Sequence, residues 1–149
     1  MSARIVLLIV ATAFLCAATV NADDEEISLF NSKGKPVAYI AVDDGKTIYS
    51  WAGKPEAYLE SDANGKGFHV YGFNGKHLGW FVQGVIRDHD GDAACAIKER
   101  MQTTEFEPFK AFKEFKPFKA FKEFAPSRPA FSQSFSDTTC SLFLSKGRD

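Results

Sequence analysis

Three histidines, one carboxylate-rich turn, a cysteine pair and a long Phe/Lys run are the residues of this chain whose types and spacing could do chemistry. His69, His77 and His89 suggest a metal, but spacings of eight and twelve residues match no standard zinc pattern, and His69 and His77 flank a hairpin turn. Asp88-His89-Asp90-Gly91-Asp92 looks like a calcium loop yet lacks the twelve-residue spacing and terminal Glu of that motif, so a solvated turn is expected. No Gly-x-Ser-x-Gly elbow and no recognisable Cys/His signature supports nucleophilic catalysis. The expectation is binding without a cofactor, a metal or a catalytic residue.

The Phe/Lys run is the stronger signal. Phe106, Phe109, Phe112, Phe115, Phe118, Phe121 and Phe124 recur every third residue, within a nine-residue unit that runs from Glu105 to Lys113 and again from Glu114 to Lys122. On an α-helix a step of three turns about 300°, which winds the rings around the whole cylinder, and Pro108 and Pro117 would each cost about 3 kcal/mol in its interior. On a strand successive rings would alternate faces. A polyproline-II-like segment has three residues per turn and accepts Pro. Its three edges would carry Phe; Lys110, Lys113, Lys116, Lys119 and Lys122, with Glu107 at the start; and Pro108, Ala111, Glu114, Pro117, Ala120 and Glu123.

At about 3.1 Å per residue this run would extend roughly 56–59 Å, whereas a domain of this size has a radius of gyration near 14 Å. It must therefore wrap, fold at its prolines or project. Seven phenyl rings hold much apolar area, so wrapping with Phe inward and Lys outward is expected. One alternative turns Phe outward beside the Lys row, a surface suited to anionic lipid; another is an extended linker. Trp51 and Trp80 join the run as binding candidates, and with Tyr58, Tyr71 and Phe81 they are expected as core or barrel lining.

The elements that must position these residues are short strands. Ile27–Phe30, Val37–Val42, Thr47–Trp51, Ala57–Leu59, Phe68–Tyr71, Leu78–Val82 and Val85–Arg87 are brief runs rich in β-branched and aromatic residues, separated by Gly-containing turns. Leu29 to Ile40 lies over Val70 to Phe81 at an offset of 41, and Ile48 to Gly53 over Ile86 to Gly91 at an offset of 38. Two copies of a hairpin unit are thus readable over residues 23–104. One unit cannot cover its own apolar face, and closing into a barrel removes exposed edges. The segment 105–126 is the period-three run, and residues 127–149 form a closing element in which Asp137 caps a helical turn that buries Leu142 and Phe143.

Residues 1–22 read as a signal peptide: Arg4, an apolar run from Ile5 to Val20, and Val20-Asn21-Ala22 before an acidic cluster. Cleavage near Ala22 and a secreted or periplasmic location are expected, with membrane anchoring and lipidation of Cys16 as alternatives. Export leaves Cys95 and Cys140, which either bridge or stand as two buried thiols. With 18 basic and 19 acidic residues the chain has no global field, so nucleic acid is not expected as a partner. Oligomeric state is left open.

Taken together, Gly67-Phe68-His69-Val70-Tyr71-Gly72-Phe73-Asn74-Gly75-Lys76-His77-Leu78-Gly79-Trp80, the later Asp88-His89-Asp90-Gly91, the period-three run and the tail from Phe131 to Asp137 resemble the four-fold β-flower family. The resemblance implies an all-β, shallow, pseudo-symmetric antiparallel barrel likened to tubby-type lipid-binding barrels, in exported bacterial proteins of unassigned function. Petals beyond the two readable copies are expected from the second half. The functional expectation is an exported binding protein for lipid or another apolar envelope ligand, held in the barrel mouth or along the run, with an anionic lipid or membrane surface as partner. A structural or protein-interaction module and a small hydrolase built on the His-bearing repeat are the alternatives.

Overall fold

The computed structural model describes residues 24–148. The expected signal segment, its cleavage point and Cys16 lie outside the described residues. Eight antiparallel strands follow one another around a closed barrel: β1 (Glu26–Phe30), β2 (Pro36–Ala41), β3 (Thr47–Ser50), β4 (Pro55–Ser61), β5 (Phe68–Gly72), β6 (His77–Val82), β7 (Val85–Arg87) and β8 (Ala93–Ala96). β8 returns to β1 through the Phe30–Ala96 pair. The eighth strand carries no signal in the sequence, because Ala-Ala-Cys-Ala holds no β-branched or aromatic residue. Ring closure forms it, since without it two strand edges would stay open.

The strands make four hairpins, and each turn repeats one hydrogen-bond pattern. Asn31, Ser50, Gly72 and Asp88 each donate their N–H to the carbonyl four residues on, and each accepts from the glycine three residues on, namely Gly34, Gly53, Gly75 and Gly91. Those glycines sit at φ between +78° and +87°, where other residues are strained. All four petals therefore lie within residues 26–96, and none comes from the second half as expected. Successive turn glycines are 19, 22 and 16 residues apart. Because the connections differ in length, a constant offset pairs only alternate petals, which is why the four hairpins read as two copies.

Inside the barrel each hairpin sets a branched side chain opposite a small one: Leu29–Ala38, Ile48–Ala57, Val70–Gly79 and Ile86–Cys95. The alternation lets eight strands close without overfilling a narrow interior. A six-residue helix, α1 (Cys140–Ser145), brings Cys140, Phe143 and Leu144 into this core. Cys140 is disulfide-bonded to Cys95 on β8, with their Cα atoms 5.1 Å apart. The helix is capped by Thr139, whose Oγ1 accepts from the Leu142 N–H at 3.3 Å, and not by Asp137. Leu142 is exposed, so Phe143 and Leu144 are the buried pair.

Between β8 and α1 the chain forms a belt without helix or strand pairing through residues 101–134. Its contacts fall at a nine-residue spacing. The N–H groups of Glu105, Glu114, Glu123 and Ser132 donate to the carbonyls of Gly34, Gly53, Gly75 and Gly91, at 2.8 to 3.1 Å. At each crossing the belt lies against the glycine so closely that a Cβ would overlap a belt carbonyl, that of Thr103, Phe112, Phe121 or Ala130. The run therefore wraps, the expected one of the three courses its length allowed.

Gly65 supplies the control for this contact. It also has a positive φ, but among the described residues no atom beyond its own chain neighbours lies within 4 Å of where its Cβ would stand. Gly65→Ala should cost only its backbone strain, about 1–2 kcal/mol. Gly53→Ala should cost about 2–3 kcal/mol more through overlap with the belt. Urea denaturation measures both, and hydrogen exchange at the Glu114 amide should accelerate in Gly53→Ala alone.

Candidate functional site

Side chains alternate along a strand, so the neighbours of the core residues point outward. Tyr39, Tyr49, Tyr58 and Tyr71 occupy this outer wall, yet all four are buried because the belt covers them. They pair as stacked rings, Tyr39 with Tyr49 and Tyr58 with Tyr71. Tyr58, Tyr71 and Trp80 are thus wall residues under or beside the belt and do not line the barrel.

The lysine edge of the belt faces this wall. Lys119 Nζ lies 4.0 Å from the Tyr58 ring centroid, Lys110 lies over Tyr39 and Trp51, Lys113 over Tyr39 and Tyr49, and Lys122 over Tyr71. Carboxylates on the barrel complete the anchoring. Glu26 takes Lys110 at 2.7 Å and Lys113 at 2.8 Å, Asp44 takes Lys116 at 2.6 Å, and Glu60 pairs with Lys122. Burial pushes the Glu26 carboxyl up, but its two lysines outweigh this and hold it below the usual carboxylate range. The hydrogen bond to Glu26 likewise raises Lys113. Burial and a 2.6 Å hydrogen bond to Asp44 push the Tyr49 phenol up, so it stays a neutral donor.

The third edge is used by the backbone. Besides the glycine contacts, the Ala111 N–H donates to Trp51 and the Ala120 N–H to Phe73. Trp51 Nε1 donates to the Pro108 carbonyl at 3.1 Å, and the Tyr71 hydroxyl to that of Glu123 at 3.1 Å. With two edges turned to the barrel, the Phe edge is left outside. Phe106 is 90% exposed and the other six rings of the run are 98–103% exposed. The expected orientation, Phe inward and Lys outward, is therefore reversed: the wall offers rings and carboxylates, which select cations.

Trp80 belongs to a different cluster. It packs against His77 and His89 at ring separations of 5.0 and 5.7 Å. The fold brings the three histidines into one chain: His69 Nδ1 is 3.0 Å from His77 Nε2, and His77 Nδ1 is 2.9 Å from His89 Nε2. A neutral ring has one donor and one acceptor nitrogen, so both contacts are met when the rings donate in one direction. Among the described residues no group of three or more His, Cys, Asp or Glu is arranged to hold a metal ion. Asp88 Oδ1 accepts from the N–H groups of Asp90 and Asp92, as Asn31 Oδ1 does from Lys33 and Lys35 in the first turn, so the carboxylate serves the turn.

His77 is buried, and its backbone N–H donates to Glu123 Oε1 of the belt at 2.7 Å. Burial first, then the neighbouring His89 and His69, lowers its pKa to about 4. An unfolded histidine titrates near 6.5, so between about pH 6.5 and 4 the unfolded chain binds the extra proton. Stability is then complete above pH 6.5 and falls as pH drops through that window, by about 3 kcal/mol in all. Glu26 and Asp44, with lowered values, lose their contributions only at lower pH. The urea midpoint should fall between pH 6.5 and 5 in the native chain, and this slope should flatten in His77→Gln.

No curated protein and no solved structure gives a significant match to this chain. The family model described as the 4-fold beta flower protein matches residues 27–144, from the first strand of the barrel into its closing helix. A closed antiparallel barrel of four equivalent hairpins agrees with that match, and the chain belongs to the 4-fold beta flower family.

Proposed function

We propose that this is an exported, non-enzymatic binding protein that engages lipid or another apolar surface of the cell envelope through its Phe row. The observation that carries the reading is a line of seven phenyl rings, each at least 90% exposed, on a backbone fixed to the barrel at every petal it crosses. Burying one such ring is worth about 1.5–3 kcal/mol. Contiguous exposed apolar surface on a folded domain marks an interaction site. Rings mounted on a fixed support also lose little freedom on binding. The Cys95–Cys140 bridge suits an oxidising compartment, and the apolar segment before Ala22 supplies the route to it.

Charge contributes little to this recognition. Four of the five lysines of the run are matched by barrel carboxylates, and Lys119 rests on Tyr58. The attraction resides in the rings, so binding should be nearly indifferent to lipid charge. In co-sedimentation, vesicles of phosphatidylcholine and vesicles with added anionic lipid should bind the full chain within about threefold of each other. Phe109→Ser, Phe115→Ser and Phe121→Ser combined should weaken both at least tenfold, with an unchanged urea midpoint. Absence of vesicle binding by the intact protein, or full binding by the triple variant, overturns the proposal in favour of a protein-docking role for the row.

A further inference from the structure

The fourth petal departs from the other three. The position four residues before each turn glycine holds Phe30, Tyr49 and Tyr71 in the first three petals and Arg87 in the fourth. Nine residues after Lys122, the belt presents Phe131. Here the barrel supplies the cation and the belt the ring: the Arg87 guanidinium lies 5.1 Å from the Phe131 ring centroid, while Arg128 of the belt, paired with Asp62, lies 5.8 Å from the same ring. The carboxylate that accompanies most belt lysines has no counterpart here. Among the described residues neither Arg87 nor Arg100 forms an ion pair.

Both arginines line one cleft between the β7–β8 wall and the belt, with Val85, Phe131, Gln133 and Phe135 among its walls and no carboxylate in its lining. Arg87 Nη1 donates to the Ser132 carbonyl at 2.6 Å, which holds the guanidinium in place, while its Nε is buried without a hydrogen-bond partner. Arg100 is exposed and donates its Nε to the Gln83 carbonyl at 2.7 Å. Burial and the Arg100 charge both pull Arg87 away from its charged form. Two nearby carboxylates oppose this, and both are engaged elsewhere: Asp92 by the Ser132 hydroxyl at 2.6 Å, and Asp88 by the backbone N–H groups of Asp90 and Asp92.

The geometry points to an anion-binding cleft at the fourth petal, in which Arg87 and Arg100 together take a carboxylate or phosphate group carried on a small apolar or aromatic body. Planar guanidiniums present paired donors to such anions. The aromatic walls receive the apolar part, and the cleft, about 290 Å³, suits one headgroup-sized molecule. This site is independent of the Phe row, since Phe106 to Phe124 contribute no residue to it.

Titration of the isotope-labelled full chain with benzoate, inorganic phosphate and benzyl alcohol, followed through the amides of residues 83–87 and 131–135, tests the inference. Benzoate or phosphate should shift these amides, and whichever binds more tightly names the anion. Arg100→Gln should weaken that binding about fivefold. Arg87→Gln should weaken it about tenfold, and because Arg87 also holds the belt, Arg100→Gln decides the matter should Arg87→Gln fail to fold. No shift with either anion, benzyl alcohol binding as tightly as benzoate, or undiminished binding in Arg100→Gln overturns the proposal.

Discussion

The close approach of the belt to four turn glycines is the constraint on which the rest of the architecture depends. Each glycine carbonyl accepts one belt N–H, and the donors recur every nine residues. Nine is a multiple of three, so a segment with three residues per turn offers the same edge to every petal it crosses. The belt can then be uniform although the hairpins beneath it are joined by connections of different lengths. Only a residue without a Cβ permits this approach, and the positive φ of the turn calls for the same residue.

Once the glycine contacts fix one edge, the chemistry of the wall fixes the next. Stacked tyrosines with carboxylates beside them attract the lysine edge through ring faces and charge. Single exposed ion pairs contribute little, but here Glu26 is half-buried between two lysines and pairs are repeated at successive positions along the belt. The outward Phe edge is the remainder of this arrangement. Its apolar area gains nothing within the fold, and this exposure is what motivates the proposal of a binding surface. In the third petal, Glu123 of the belt reaches the backbone of His77, so the histidine chain, whose middle ring is buried, and the belt are joined.

Much of the fold was legible because hairpin signals are local. Seven of the eight strands follow from β-branched and aromatic runs between Gly-containing turns, and the barrel follows from their need to close. The eighth strand was hidden because its residues are chosen for the space opposite Ile86 and for the bridge to Cys140, and small side chains carry no strand preference. The period of the Phe run excluded a helix, and its length left wrapping, folding at the prolines or projection, of which the structure shows wrapping. Its orientation could not be read from apolar area, because the decisive partners, Tyr39, Tyr49, Tyr58 and Tyr71, are distant in sequence and lie on the outside of the barrel. A sign of them was present: in three petals a ring stands five residues after the turn glycine, as Tyr39, Tyr58 and Trp80. The histidine chain was equally non-local, since β5, β6 and the fourth turn each contribute one ring.

The central claim is that the lysines rest on the wall and thereby turn the phenylalanines outward. Lys119 tests it most directly, since its Nζ stands 4.0 Å from the Tyr58 ring centroid and among the described residues it forms no ion pair that would hold it otherwise. The proton chemical shifts of the Lys119 ε-methylene group report on that ring. With Lys119 on the Tyr58 ring these resonances are shifted upfield and return to ordinary values in Tyr58→Leu. Resonances at ordinary lysine positions in the native chain, with ring-current shifts on the Phe118 or Phe121 side chains instead, would contradict it.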